Sequence, residues 1–250
     1  MGIVVDSVTK TINGINILDN VSFSVDDGQI FGLIGPNGAG KTTMIRIMLN
    51  IYKQTNGKIL IDGIDNNSPN FVGVKNKIGF LLDNLGLYND LTAWDNVEFF
   101  DRIYFDRSDK FSRRERISQA LRKVDMFDER DKKITFFSRG MRLRIALARC
   151  FVHSPKYLFL DEPSRGLDLE AIEILRNIIL ESKSNGATIF ISSHDLGEME
   201  KTCDAFGFIS KGKLIENAKR EDLFVKYADC FDGRRPNLEA IYKKLLFKRV

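Results

Sequence analysis

Gly35-Pro-Asn-Gly-Ala-Gly-Lys-Thr42 fits the pattern G-x-x-x-x-G-K-[ST] without a gap, and its flanks decide what the pattern means. Before it, Gln29-Ile-Phe-Gly-Leu-Ile34 is a short, mostly apolar run suited to a buried strand. After it, Met44-Ile-Arg-Ile-Met-Leu49 carries apolar residues at helical spacing. The loop therefore joins a strand to a helix N-terminus, the setting in which such a loop cradles phosphate. Glycines at 35, 38 and 40 let successive N–H groups turn inward, in backbone conformations closed to residues with side chains. The positive end of the helix macrodipole adds to the attraction. Lys41 can reach the β- and γ-phosphates as a mobile charge, and the Thr42 hydroxyl stands where it can ligate Mg²⁺. The predicted nucleotide contacts here are Gly35, Pro36, Asn37, Gly38, Ala39, Gly40, Lys41, Thr42 and Thr43.

A phosphate loop alone does not separate a GTPase, a kinase and a transport ATPase. A second segment narrows the choice. Tyr157-Leu-Phe-Leu160 reads as a compact apolar strand running into Asp161-Glu162-Pro163, which sets two adjacent carboxylates at the carboxyl end of a strand, where open α/β sheets bind ligands. Alternation along a strand sends the two side chains in different directions. Asp161 then faces the Mg²⁺ coordination sphere, and Glu162 is placed to accept a proton from the attacking water.

With three further segments in the right order, the chain resembles the nucleotide-binding subunits of the ATP-binding cassette (ABC) family from about residue 3 to about residue 245. Phe137-Ser-Arg-Gly-Met141, followed by the helical run Arg142-Leu-Arg-Ile-Ala-Leu-Ala-Arg149, looks like the family signature. In that family the serine and the helix N-terminus after it contact the γ-phosphate of ATP held by the opposing subunit. By residue match Ser138 and Gly140 inherit that role, and Ser138, Arg139, Gly140 and Met141 fall at the subunit interface. A helix N-terminus with a Ser cap is also an anion site on physical grounds. Ser164-Arg-Gly-Leu-Asp168 resembles the family's D-loop, with Asp168 expected at the same interface. Ile189-Phe-Ile-Ser-Ser-His194 resembles the strand that ends in the switch histidine sensing the γ-phosphate, so the resemblance implies Glu162 and His194 as catalytic residues. His153, the other histidine, reads as a bystander on a surface turn before Pro155.

Four positions depart from the family pattern. Arg139 and Met141 replace a glycine and the glutamine of the signature, a variant similar to that of exporters of the ABC-2 and antibiotic-resistance types. After the strand Lys77-Ile-Gly-Phe-Leu-Leu82, Asp83 stands where the family carries a glutamine that touches Mg²⁺ and faces the membrane subunit; an aspartate either assists the metal through oxygen or merely tolerates it. Ile12 occupies the position where the family stacks an aromatic ring on adenine. The metal set implied is Thr42, Asp161 and Asp83, with ATP and Mg²⁺ as cofactors.

Composition limits the remaining classes. With 250 residues and 43% hydrophobic content the chain can bury a sizeable core. Cys150, Cys203 and Cys230 show no C-x-x-C spacing and no even-numbered framework, which reads as reduced thiols. No apolar stretch approaches the roughly 18 residues of a membrane helix, and the N-terminus begins with strand-like sequence in place of a signal peptide. Residues 101–149 hold fifteen Lys/Arg against eight Asp/Glu, so this segment is basic beside a net charge of +4 for the whole chain. It reads either as a solvated helix surface or as a face for anionic lipid or an acidic segment of a membrane partner. Nucleic acid as a partner is disfavoured by the modest net charge and the lack of an aromatic-basic recognition motif.

The resemblance implies an α/β fold: a P-loop NTPase (RecA-like) core with an antiparallel β subdomain and an inserted α-helical subdomain. Residues 1–83 and 135–225 would form the core of a single domain, 84–134 the insert, and 226–250 a short C-terminal helical tail. Within the insert, Thr92 is a candidate N-cap and 111–121 has helical composition. The implied function is that of a cytoplasmic ATP-binding and ATP-hydrolysing subunit, peripheral on the cell membrane. It would drive a separate membrane-spanning exporter permease by ATP-driven closure with a second ABC subunit, identical or not. The alternative is a soluble ABC-type ATPase regulating ribosomes or nucleic acid; such proteins usually show tandem cassettes or a long coiled coil, and this chain has neither. A P-loop GTPase would carry an N-K-x-D base-recognition segment, which is missing. Without an aromatic ring at Ile12, a stacking contribution of about 0.5–1.5 kcal/mol is lost. In competition binding, GTP should therefore displace ATP more effectively than from a relative with an aromatic ring there, and a strong preference for ATP would show that other contacts read the base.

Overall fold

Short apolar runs bounded by turn residues become strands, and these form two sheets in the computed structural model, which describes residues 2–228 and 237–247. The first sheet is antiparallel, in the order β2 (Ile15–Val25), β1 (Ile3–Ile12), β4 (Asn56–Ile61), β5 (Ile64–Asp65). Asn13 and Gly14, both at positive φ, make the two-residue turn between β1 and β2. The second sheet has the order β10 (Lys213–Lys219), β9 (Ala205–Ser210), β3 (Ile30–Ile34), β8 (Thr188–Ser193), β7 (Tyr157–Asp161), β6 (Ile78–Leu81). Its neighbours are parallel except β10 and β9. Ile34 pairs with Ser193, and Asp161 pairs with Ser192, so β3, β8 and β7 end level and the loops after them emerge side by side.

Parallel strands need cover on both faces, and the alternation within each strand divides the core accordingly. Ile30, Leu158, Leu160, Ile189 and Ile191 face α5 (Arg139–Phe151) and α6 (Leu169–Ser184). Phe31, Leu33, Phe159 and Phe190 face α1 (Lys41–Met48) and the antiparallel sheet, where Phe23 stacks on Phe31 at 5.0 Å between ring centroids. Each such pair contributes about 0.5–1.5 kcal/mol beyond its buried area. On α6, Leu175, Ile178 and Ile179 are buried and Ile172 is half-buried.

The short α2 (Phe71–Lys75) lies between β5 and β6, and between β6 and α5 the chain forms α3 (Ala93–Tyr104) and α4 (Lys110–Lys123). Thr92 does cap α3, in a reciprocal box with Asp95. Asp101 on α3 is fully buried between Arg116 Nε at 2.6 Å and Arg113 Nε at 3.3 Å, which ties α3 to α4 by charge. His153 corrects the expectation of a surface bystander. Its ring stacks on Tyr104 at 3.6 Å, and Tyr104 Oη and His153 Nε2 both reach the carbonyl of Ile78. Burial pushes the imidazole down to about 4, so it is neutral at pH 7 and fastens the end of α3 to the edge of the core sheet. Cys150 and Cys203 are buried free thiols whose pKa values burial raises; Cys230 lies outside the described residues.

Asp62, in the turn between β4 and β5, joins the two sheets. Its carboxylate lies 2.8 Å from the ammonium groups of both Lys156 and Lys77 and accepts the Tyr157 hydroxyl at 3.2 Å. Lys156 first and Lys77 second hold its pKa well below the usual carboxylate range, against the opposing effect of burial. A carboxylate depressed in the folded state stabilises the fold above its unfolded pKa of about 4, and the stabilisation is lost as pH falls below that. Asp62→Asn should lower Tm at pH 7 by about 2–4 °C. The gap from wild type should narrow toward pH 3; a constant gap in thermal melts across this range would assign the loss to shape and not to charge.

Candidate active site

Three strand ends and one helix start supply the site. After β3 the loop runs from Gly35 to Gly40, with Gly38 at φ 77° and Gly40 at φ 108°. Gly40 is doubly constrained, because a Cβ there would also stand 2.7 Å from Leu18 Cδ2 and 2.9 Å from the Ile17 carbonyl oxygen. Pro36, Asn37 and Gly38 are exposed, whereas Gly35 and Ala39 are buried. Helix α1 opens with no side-chain cap and no acidic residue in its first turn, and Met44 N closes a helical bond onto Gly40 O. The first-turn amides of Lys41, Thr42 and Thr43 are thus left for an anion, at the positive end of the macrodipole. Thr42 and Thr43 are half-buried in that turn.

The Lys41 side chain is only 6% exposed. Its ammonium donates to Gly35 O at 2.6 Å and Pro36 O at 3.2 Å, and it lies 3.1 Å from Glu162 Oε1. Glu162 Oε2 lies 2.7 Å from His194 Nδ1. Lys41, Glu162 and His194, widely separated in sequence, are therefore one connected cluster. Glu162 has φ 49°, in the left-handed region that side-chain-bearing residues seldom occupy. Its N–H donates to the carbonyl oxygen of Ser192 at 3.0 Å and to the Ser192 hydroxyl at 3.3 Å. Asp161 is buried; its Oδ1 accepts the Ser192 hydroxyl, while Oδ2 is buried without a hydrogen-bond partner.

Asp83 is exposed, with Oδ1 3.7 Å from Arg165 Nη1. It shares a cleft of about 400 Å³ with Asp161, Glu162, Arg139 and Arg165. Among the described residues no group of three His, Cys, Asp or Glu side chains is arranged to hold a metal, so Asp83 and Asp161 share this cleft without forming such a group. Ser138 caps α5, accepting Met141 N at 3.3 Å. The Arg139 guanidinium lies over Gly166, where Nε would be 3.0 Å from an added Cβ, so the start of α5 touches the 164–168 loop. Asp168 caps α6, accepting Ala171 N at 2.9 Å. Ile12 stands at the tip of the β1–β2 hairpin, 41% exposed, paired with the exposed Ile15. Among the described residues no hydrogen bond or ion pair links Ile12, Ser138, Gly140, Met141 or Asp168 to the Lys41–Glu162–His194 cluster. Sequence reasoning passed over Ser192 and Arg165. The available signal for Ser192 was a hydroxyl inside an otherwise apolar strand, since a polar group buried in a core needs a partner.

The family model described as ABC transporter matches residues 18–165, which include the phosphate loop, the start of α5 and the Asp161-Glu162 pair. An uncharacterized ABC transporter ATP-binding protein of Bacillus subtilis, YhcH, is 38% identical over 92% of this chain and 75% of its own length. The lantibiotic transport ATP-binding protein SrtF of Streptococcus pyogenes is 36% identical over 98% of both chains. The dimeric ATP-binding cassette MJ0796, solved in a post-hydrolysis state bound to ADP and Pi, superposes with a TM-score of 0.80 at 26% identity, covering 87% of this chain and 98% of that one. The chain belongs to the ABC transporter family as an ATP-binding subunit, and it is an ATPase.

Proposed function

We propose that this subunit hydrolyses ATP to drive a separate membrane-spanning permease of an exporter, with Glu162 as general base. The observation that carries the reading is the convergence of Lys41, Asp161, Glu162 and His194 at three level strand ends. The amides of 41–43 and the Lys41 ammonium bind the phosphates. In moving to a phosphate, Lys41 leaves Glu162 Oε1, which is then free to accept a proton from water, while His194 holds Oε2 and with it the orientation of the carboxylate. His194 is 54% exposed, open to a contact with the terminal phosphate. Asp161 Oδ2, buried and unpartnered, and the Thr42 hydroxyl suit Mg²⁺ in donor type. Bound there, Mg²⁺ would neutralise charge on the β- and γ-phosphate oxygens.

Two such subunits would pair so that Ser138 and Gly140 of one complete the site of the other, with Arg139, Met141 and Asp168 at the interface. The dimeric cassette similar to this chain supports the pairing of two subunits. Export as the direction of transport is supported by the likeness to a subunit of lantibiotic transport. Among the described residues no helix is long and apolar enough to cross a membrane, in keeping with a permease on another chain and a peripheral place at the cytoplasmic face. Residues 84–134, read as an insert on a core of 1–83 and 135–225, expose Tyr88, Phe99 and Ile103, which suit contact with that permease.

Lys41→Ala should weaken ATP binding by at least tenfold in calorimetry on the folded variant; unchanged affinity would remove the phosphate-loop assignment. Glu162→Gln should bind ATP and lose about 10²–10⁴-fold in turnover. An ATP-dependent dimer of that variant should appear in light scattering, and full turnover in the variant would exclude Glu162 as the base.

A further inference from the structure

We infer that Ser192 is a positioning residue of this ATPase: its buried hydroxyl decides which oxygen of Asp161 is left for the metal, and it anchors the peptide that aims Glu162. The inference rests on the assignment of Asp161 to Mg²⁺ made above.

Ser192 lies on β8 opposite Asp161 on β7 and is fully buried. A serine hydroxyl has one proton to donate and two lone pairs that can accept. Here the proton goes to Asp161 Oδ1, and the oxygen accepts the Glu162 amide at 3.3 Å, alongside the 3.0 Å bond from the same amide to the Ser192 carbonyl. The two carboxylate oxygens of Asp161 thereby become unequal. Oδ1 is engaged inside the sheet, and Oδ2 alone remains without a partner in a buried setting, the state that a cation would relieve. The second contact fixes the Glu162 peptide at a φ of 49°, which departs from the strand and lets the carboxylate lie between Lys41 and His194. His194 follows Ser192 by two residues on the same strand end, so one short segment orients the metal carboxylate, the base and the base's histidine.

A serine that only filled space in the sheet would leave metal affinity alone. Groups that orient a metal ligand are worth about 10–100-fold in metal affinity or activity. The test compares wild type, S192A and S192T by three readings: Mn²⁺ binding to the chain–ADP complex by electron paramagnetic resonance, ATP binding in EDTA by calorimetry, and the Mg²⁺ concentration giving half-maximal ATPase activity. S192A should bind Mn²⁺ about 10–100-fold more weakly and need correspondingly more Mg²⁺, with metal-free ATP binding within twofold of wild type. S192T, which keeps the hydroxyl, should recover most of the Mn²⁺ affinity. Wild-type Mn²⁺ affinity in S192A overturns the inference, as does a loss of metal-free ATP binding as large as the loss of Mn²⁺ binding. Where S192A does not fold, S192C, close in size and only a weak donor, gives the same comparison, and wild-type Mn²⁺ affinity there overturns it equally. If wild type binds ADP but no Mn²⁺, the metal assignment of Asp161 fails and takes the inference with it; if wild type binds both and S192A matches it, the inference alone fails.

Discussion

The level parallel pairing of β3, β8 and β7 is the constraint on which the rest depends. Strands covered on both faces must be apolar along their length, so polar chemistry is confined to the places where they end. Register then decides which residues meet. Ile34 pairs with Ser193, and Asp161 with Ser192, so the phosphate loop, the carboxylate pair and His194 leave the sheet at one height. A shift of one residue in β7 would reverse the faces of Asp161 and its neighbours and part the carboxylates from the loop. The register is fixed in turn by packing on the two faces, with Phe31, Phe159 and Phe190 on one and Leu158, Leu160 and Ile189 on the other.

Within that frame the site is held by exchange of partners. A cation as buried as Lys41 requires compensation, and two loop carbonyls together with Glu162 supply it. In the proposed function the ligand would meet a loop whose shape is already made and whose charge is already desolvated, and binding would substitute phosphate oxygens for protein ones. Asp161 is treated differently. One oxygen is engaged by Ser192 and the other is left open, the division on which the proposed metal role of Asp161 and base role of Glu162 rest.

The positions that depart from the family pattern lie at the rim of this buried machinery, Asp83 and Arg139 lining the same cleft as Asp161 and Glu162. Ile12 is on an exposed hairpin tip, Asp83 is exposed and paired to Arg165, and Arg139 is exposed over Gly166. Rim positions can change side chain without disturbing the register of the core. Met141 is half-buried beside the larger core, at a turn whose cap comes from Ser138 and not from its own side chain. The buried charge pairs of the insert, Asp101 with Arg116 and Arg113, serve the same end at a distance, since they fix α3 and α4 to each other while the Tyr104–His153 stack fixes α3 to the sheet edge.

The sequence by itself determined the parts that depend on local chemistry. Gly35 to Thr42 needs its glycines and lysine in a fixed order, Tyr157 to Asp161 needs an apolar run before its acid, and Thr92 and Ser138 announce helix starts, so each was legible as a string of neighbours. The overall fold was implied by the family resemblance that these motifs carry. Contacts between residues far apart in the chain were decided only by the tertiary structure. That Lys41 rests against Glu162, that Ser192 divides the oxygens of Asp161, that Arg139 lies over Gly166 and that His153 is stacked and not idle all depend on strand register and helix docking. Local sequence carries the identity of each group, but which buried polar atom receives a partner is set by what the packing of the whole sheet brings within about 3 Å, and no local pattern encodes that distance.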